Sequence, residues 1–290
     1  MHTSIPIIFP TDWKDYELID SGEGAKLERF GSYTISRPDP RAIWKRNAPL
    51  TIWESADAQY VRSSKEAGDW KIKKAPPSDW HISYDDLVFQ LKPTSFKHVG
   101  VFPEQAVNWQ WITEKLYSKP KSSVLNLFAY TGGATLAAAK AGAHVTHVDS
   151  SQSSINWAKE NATASGLKEA PIRWILDDVT KFVSREIRRG NAYDAIILDP
   201  PRFGRGTKGE IWKIEDDLAP LLTLCKQLLS PKPFFVLLNA YTADLSPIVI
   251  DNVINDMMAN TKGFIETFEL TIQDSTSKRL LPHGITSRWS

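Results

Sequence analysis

The stretch "SVLNLFAYTGGATLAAAKAGAHVTHVD", residues 123–149, reads as a strand, a turn, a helix and a second strand in direct succession. Val124 to Leu127 form a short apolar run. Gly132 and Gly133 then permit a tight turn and close backbone approach, leading into an alanine-rich segment of strong helix formers. "HVTHVD" closes the unit on Asp149. Two short apolar strands joined through a helix are the crossover unit of a parallel sheet.

Downstream the same alternation continues. "IRWILDD", "YDAIILDPP" and "PFFVLLNAY" are strand-like runs separated by segments of helical period. Between Ser151 and Gly166 a serine-rich start, a stripe of Ile155, Ala158 and Ala162, and a closing glycine predict one helix. Over 215–230, Leu218, Leu221, Leu222, Cys225 and Leu229 fall on one stripe, which makes Cys225 a core residue. Upstream, residues 1–90 have a different texture: segments such as "GSYTISRP" and "DLVFQLKP", broken by Pro, Gly and Asp, predict hairpins. The expected architecture is α/β, with a β-rich extension over 1–90 and a doubly wound parallel sheet over 91–290.

Composition narrows the class. At 290 residues, 42% apolar and 24% charged, the chain matches a globular protein rather than a disordered or membrane one. Its N-terminus, interrupted by Pro6 and Pro10, resembles neither a signal peptide nor a span, so a cytoplasmic, membrane-free protein is expected. The single cysteine permits no internal disulfide and no thiolate metal site, and no metal is expected. A net charge of +1 gives no global signature of nucleic-acid binding, so any such contact needs a local patch.

Open α/β sheets bind ligands at the carboxyl ends of their strands, and four successive ends here carry suggestive residues. The first leads into Gly132-Gly133, which alone would equally suit close helix packing. The second ends on Asp149, placed to accept from ribose hydroxyls; the third ends on "DDV", 177–179, where a carboxylate and a backbone N–H suit an adenine edge. The fourth ends on Asp199, Pro200 and Pro201. "FAYTGGAT" lacks the first and third glycines of a dinucleotide fingerprint, so pyrophosphate is poorly served. S-adenosyl-L-methionine has adenine and ribose but no phosphate, and the loop 126–133 offers its methionine end a turn and polar backbone groups.

Residues 124–167, with "DDVTKF" at 177–182 and "DPPRF" at 199–203, resemble the class I S-adenosylmethionine-dependent methyltransferases of the group that modifies 23S ribosomal RNA at cytosine C5 or guanine N7. The resemblance spans roughly 92–245 and implies a Rossmann-like fold with a mostly parallel seven-stranded sheet. "GVFPEQ", 100–105, is similar to the segment that leads those domains into the cofactor site, which brings in Phe102 and Glu104; Ala106 stands where the family usually has arginine. The resemblance implies Asn126, Phe128, Ala129, Tyr130, Thr131 and Gly132 for the methionine end, Asp149 and Ser150 for the ribose, and Asp178 and Val179 for the adenine. It places Asp199, which also faces the cofactor, with Pro200 and Phe203 at the transfer site.

Methyl transfer is an in-line attack, so the protein has to position a nucleophile and exclude water. In "DPPRF" the acid and a proline carbonyl suit an amine or ring N–H, while Phe203 offers a stacking face to a base. Arg205, Lys208 and Lys213 in the following loop suit phosphate. The resembling C5 enzymes carry a cysteine after the fifth strand, where this chain has Asn239, Ala240, Tyr241 and Thr242. Carbon methylation through a covalent adduct is therefore not expected, and Asn239 and Tyr241 are candidates for orienting a heteroatom acceptor. Seven of the eleven tryptophans precede Lys115; most are expected in a core, with "WKIKKAPP" a possible RNA surface. Arg185, Arg188 and Arg189 form another basic cluster, more often a solvated face. The expected function is methyl transfer to RNA, with ribosomal RNA first among the candidates and a monomer favoured. A protein or small-molecule acceptor, or a non-catalytic RNA-binding or assembly role, are the alternatives.

Overall fold

The computed structural model describes residues 5–63, 68–95, 97–206, 209–241 and 245–290. They form two compact units: Met1–Ile8 with Val107–Leu270 and His283–Ser290, and Phe9–Ala106 with Thr271–Pro282. The boundary drawn from texture at 90 thus falls at 106. Residues 91–106 are tied back by hydrogen bonds from Leu91 N–H to the Trp80 carbonyl (2.7 Å) and from the Trp13 indole to the Pro103 carbonyl (2.9 Å). Segment 271–282 joins the same unit, with Ser275 N–H donating to the Leu18 carbonyl at 2.8 Å.

In chain order the first elements are β1 (Ile7–Ile8), β2 (Tyr16–Gly22), β3 (Ala25–Phe30), β4 (Tyr33–Pro38), α1 (Leu50–Glu54), β5 (Ala58–Arg62), β6 (Gly68–Ile72), β7 (His81–Tyr84) and β8 (Leu87–Gln90). Strands β2 to β6 make one five-stranded sheet, and β7 and β8 pair as a hairpin. This is the β-rich texture expected of the N-terminal region. Its tryptophans are structural. Trp53 and Trp80 are buried, and the indole N–H groups of Trp44, Trp70 and Trp80 donate to the carbonyls of Ser21, Thr94 and Phe30 at 2.8–3.0 Å. A buried indole needs such a partner. Lys71, Lys73 and Lys74 are exposed at the end of β6.

The second set comprises α2 (Ala106–Tyr117), β9 (Ser123–Leu127), α3 (Gly133–Lys140), β10 (His144–Asp149), α4 (Gln152–Ala164), β11 (Ile172–Leu176), α5 (Val179–Arg188) and β12 (Ala195–Leu198). Then come β13 (Phe203–Arg205), β14 (Ile211–Lys213), α6 (Ile214–Gln227), β15 (Phe235–Ala240), α7 (Pro247–Met258), β16 (Ile265–Gln273) and β17 (Leu280–Trp289). The large sheet has the order β1-β16-β17-β15-β12-β9-β10-β11. It contains the expected seven strands plus β1, two residues paired parallel to β16. Strands β9 to β12 and β15 run parallel, and β17 lies antiparallel to β15. The chain leaves β9 in one direction for β10 and β11 and later returns to β12 on its other side. That reversal, between β9 and β12, is where an open sheet parts to admit a ligand.

Helix α4 follows its sequence signature: the Ser151 hydroxyl accepts from Ser154 N–H at 3.2 Å, and Ile155, Ala158 and Ala162 are buried. On α6, Leu218, Leu221, Leu222 and Cys225 enter the core that lies against β12 and β15. Among the described residues no helix is long and apolar enough to cross a membrane, and no group of three His, Cys, Asp or Glu could hold a metal ion.

Candidate active site

The ends of β9, β10, β11 and β12 bring the expected strand-end residues together. After β9 the backbone takes left-handed φ at every second residue: Phe128 (57°), Tyr130 (48°) and Gly132 (92°). For Phe and Tyr this conformation costs of order 1–3 kcal/mol each, and such residues persist where the surroundings over-determine them. Here the surroundings are explicit. Ala129 N–H donates to the Val148 carbonyl (3.1 Å), Tyr130 N–H to Asp149 Oδ2 (2.8 Å), and Asn161 Nδ2 to the Thr131 carbonyl (2.9 Å). Gly132 is required twice over, since a Cβ there would lie 3.1 Å from that of Ala158 on a left-handed backbone. Gly133 serves packing: a Cβ would sit 2.6 Å from the Trp109 ring.

Among the described residues Asp149 is held by backbone N–H groups. Its Oδ2 accepts from Tyr130 and its Oδ1 from Ser151 at 2.8 Å, with Ser150 N–H adding to the set. Burial raises its pKa above the ordinary value, against the pull of those three N–H groups. Of the roughly four lone-pair sites of a carboxylate these N–H groups take three, which leaves room for a hydroxyl donor. Asp177 N–H donates to the Asp149 carbonyl at 3.1 Å, which brings the end of β11 alongside. Asp177 itself pairs with Arg185. Asp178 caps α5, accepting from Lys181 N–H at 2.9 Å, and the Val179 side chain is in the core, so recognition of an edge at Val179 would fall to its backbone.

Asn126 lies under the turn rather than in it. Its Nδ2 donates to Thr135 Oγ1 (2.9 Å), which in turn lies 2.9 Å from His147 Nδ1. His147 is buried, its ring 4.8 Å from that of Trp174, and burial lowers its pKa to about 3, so it stays neutral. Thr135 and His147 carry no sequence signal; a helix threonine and an alternating strand histidine read as ordinary surface positions.

After β12, Asp199 N–H donates to the Leu127 carbonyl at 3.3 Å. Pro200 is buried and Pro201 exposed. The Pro201 carbonyl accepts from the Trp212 indole (2.7 Å) and the Arg202 carbonyl from Ile214 N–H (3.0 Å). Among the described residues no donor is seen on the Pro200 carbonyl. Strands β13 and β14 form a hairpin in which Phe203 opposes Lys213 and Arg205 opposes Ile211. Directly opposed residues share a face. One face of the hairpin therefore presents Phe203 (52% exposed), Arg205, Ile211 (61% exposed) and Lys213, and the other presents Trp212 inward. Lys208 lies outside the described residues, as does Thr242.

Asn239 is buried in a network instead of facing an acceptor: Asn108 Nδ2 and Thr286 Oγ1 both donate to its Oδ1, at 3.0 and 2.7 Å. Phe102 and Glu104 lie in the β-rich unit, where Phe102 is half-buried beside His98 and Glu104 is buried. Of the basic cluster, Arg185 on α5 pairs with Asp177 and Arg189, just past its end, with Glu186, so much of it is neutralised at its own surface.

Comparison with known proteins supplies the chemistry. The family described as "S-adenosylmethionine-dependent methyltransferase" matches residues 46–243. A crystal structure of a SAM-dependent methyltransferase from Agrobacterium tumefaciens is 40% identical, the match covers 100% of this chain and 97% of that one, and the two superpose with a TM-score of 0.93. Two curated relatives are a ribosomal RNA large subunit methyltransferase K/L of Pseudoalteromonas atlantica (31% identical, 66% of this chain, 25% of the relative) and a ribosomal RNA large subunit methyltransferase I of Aeromonas salmonicida (35%, 46% and 33%). The matched stretches span a third or less of those two relatives.

Proposed function

The chain belongs to the S-adenosylmethionine-dependent methyltransferase family, and from that premise we propose that it methylates a heteroatom of RNA, ribosomal RNA first, in the cytoplasm. The bound cofactor supplies an electrophilic methyl on a sulfonium. In this reading Phe128 to Gly132 hold its methionine end, Asp149 and Ser150 its ribose, and Asp178 with the Val179 backbone its adenine. Phe102 and Glu104 enter this assignment on their sequence motif alone.

The observation that carries the RNA acceptor is the hairpin face beside the transfer motif. Phe203 and Ile211 offer exposed apolar surface, and Arg205 and Lys213 lie between and beside them. An aromatic interleaved with cations is the chemistry that takes an unstacked base and its phosphates. Asp199 and the Pro200 carbonyl would accept from the N–H or O–H of the acceptor and aim its lone pair at the methyl, an orientation effect rather than covalent catalysis. The covalent route has no nucleophile to use: the chain's one cysteine, Cys225, is 0% exposed on the core face of α6, and burial pushes its thiol pKa well up. A thiol so placed forms no thiolate.

The test is single-turnover transfer to total RNA. Asp199→Ala is expected to slow transfer about 100-fold while cofactor affinity stays within about threefold, the pattern of a contact made chiefly in the transition state. Mass analysis of the product nucleosides should find the methyl on nitrogen or oxygen. Transfer at the parental rate by Asp199→Ala, or a methyl on a base carbon, would refute the mechanism.

A further inference from the structure

Two consecutive prolines leave the transfer motif without amides of its own at positions 200 and 201, so nothing there can donate to a sheet ladder. The backbone on the amino side is fixed by Asp199 N–H on the Leu127 carbonyl. On the carboxyl side the anchor has to come from a donor elsewhere, acting on a carbonyl. Trp212 is the donor that acts on the second proline, with Ile214 N–H on the Arg202 carbonyl just beyond it. Trp212 is 9% exposed on the inner face of the hairpin, directly opposite Gly204, and its Nε1–H reaches the Pro201 carbonyl at 2.7 Å. The same indole lies 4.9 Å, centroid to centroid, from the ring of Phe128, the first left-handed residue of the turn after β9. Leu127 and Phe128 are neighbours in the chain, and Asp199 and Pro201 are two residues apart. The two strand ends are therefore joined twice, once by the ladder bond and once through Trp212.

From this geometry we infer that Trp212 is a positioning residue: it sets the separation between the turn that holds the cofactor and the carbonyl face that meets the acceptor. The inference rests on the reading of these two segments as cofactor turn and transfer motif. A neutral indole suits the role, because it donates one hydrogen bond of fixed direction and accepts none. The exposed face of the hairpin follows from the same anchor. With Trp212 pinned inward, Phe203, Arg205, Ile211 and Lys213 must face out.

Trp212→Phe keeps an aromatic against Phe128 and removes the N–H. It is expected to slow single-turnover methyl transfer to RNA about 10- to 100-fold, with the dissociation constant for S-adenosylhomocysteine within about threefold of the parent. Trp212→Leu, which also removes the aromatic contact, should weaken that affinity in addition. Should Trp212→Phe fold poorly, replacement by benzothienylalanine, with sulfur in place of the N–H, keeps the shape and makes the same comparison. An independent arm needs no acceptor. In the ¹⁵N spectrum of the parent, the Trp212 indole signal, assigned by its loss in Trp212→Phe, should exchange slowly and move when S-adenosylhomocysteine is added. Parental transfer by the N–H-less variants, equal losses of affinity and transfer in them, or an indole signal unmoved at saturation would each overturn the role. If the parent transfers nothing to RNA, the RNA reading falls and the indole arm still decides the case of Trp212.

Discussion

Two carboxylates, buried Glu28 of the β-rich unit and half-buried Asp149 of the α/β unit, are held in opposite ways. In the β-rich unit Glu28 is ringed by charge: Arg37 donates through Nε and a terminal nitrogen at 2.7 and 2.8 Å, Lys26 Nζ lies at 3.3 Å, and the Tyr16 hydroxyl donates at 3.0 Å. Although burial alone would raise its pKa, the Arg37 and Lys26 charges bring it down to about 2. In the α/β unit Asp149 is met by backbone N–H groups among the described residues, and burial leaves its pKa raised. A carboxylate surrounded by cations is spent on the fold. One held by a few amides keeps a lone pair for a neutral donor, the kind a ribose presents.

The comparison is open to attack first at Glu28. Glu28→Gln removes the counter-charge of buried Arg37, while Lys26 keeps Asp39 at 3.9 Å, and should cost about 3–5 kcal/mol, read from denaturant unfolding. The pH dependence has a definite sign. Because the folded pKa lies below the ordinary 4.5, the contribution of Glu28 is complete above that value and is lost as pH falls toward about 2. The parent should show this acid limb, and Glu28→Gln should lack it.

A smaller effect is expected at Asp149, and on a different quantity. Asp149→Asn loses an acceptor for one N–H and part of its capacity for hydroxyls, so calorimetry should find S-adenosylmethionine bound about 10- to 100-fold more weakly. Unfolding should move far less than in Glu28→Gln. Since the pKa is raised, acidification should weaken cofactor binding at a pH above the ordinary aspartate value of 3.8. Equal loss of stability and affinity would erase the contrast between the two carboxylates.

The smallest functional effect belongs to Cys225, a titratable group buried among apolar side chains. Cys225→Ser should cost about 1 kcal/mol or somewhat more through its unpaired hydroxyl and leave single-turnover transfer within about twofold. A folded but inactive Cys225→Ser would restore a covalent mechanism.

Much of the catalytic unit is legible in local pattern. The alternation of apolar runs with helical stripes marks β9 to β12, β15, α4 and α6, because burial on one face imposes a period that neighbours in sequence must share. Strand ends follow from the same pattern, which is how Asp149 and Asp199 stand out. The β-rich texture of the N-terminal region is equally local, whereas its limit at 106 and its capture of 271–282 rest on hydrogen bonds between distant segments.

Glycine was the visible signal in "FAYTGG", yet the left-handed turn falls partly on Phe128 and Tyr130, and Gly133 makes room for Trp109. Asn126 reads as part of the turn but donates to Thr135, and Asn239 reads as a strand-end amide but belongs to a buried network with Asn108 and Thr286. By itself, then, the sequence determined the sheet, its order of chemistry-bearing ends and the absence of an available thiol, all consequences of short-range periodicity and composition. Only the tertiary structure decided which polar groups are consumed by packing and that Trp212 joins Phe128 to Pro201. Those partners lie far apart in the chain, and no local pattern encodes a hydrogen bond whose other end is chosen by the fold.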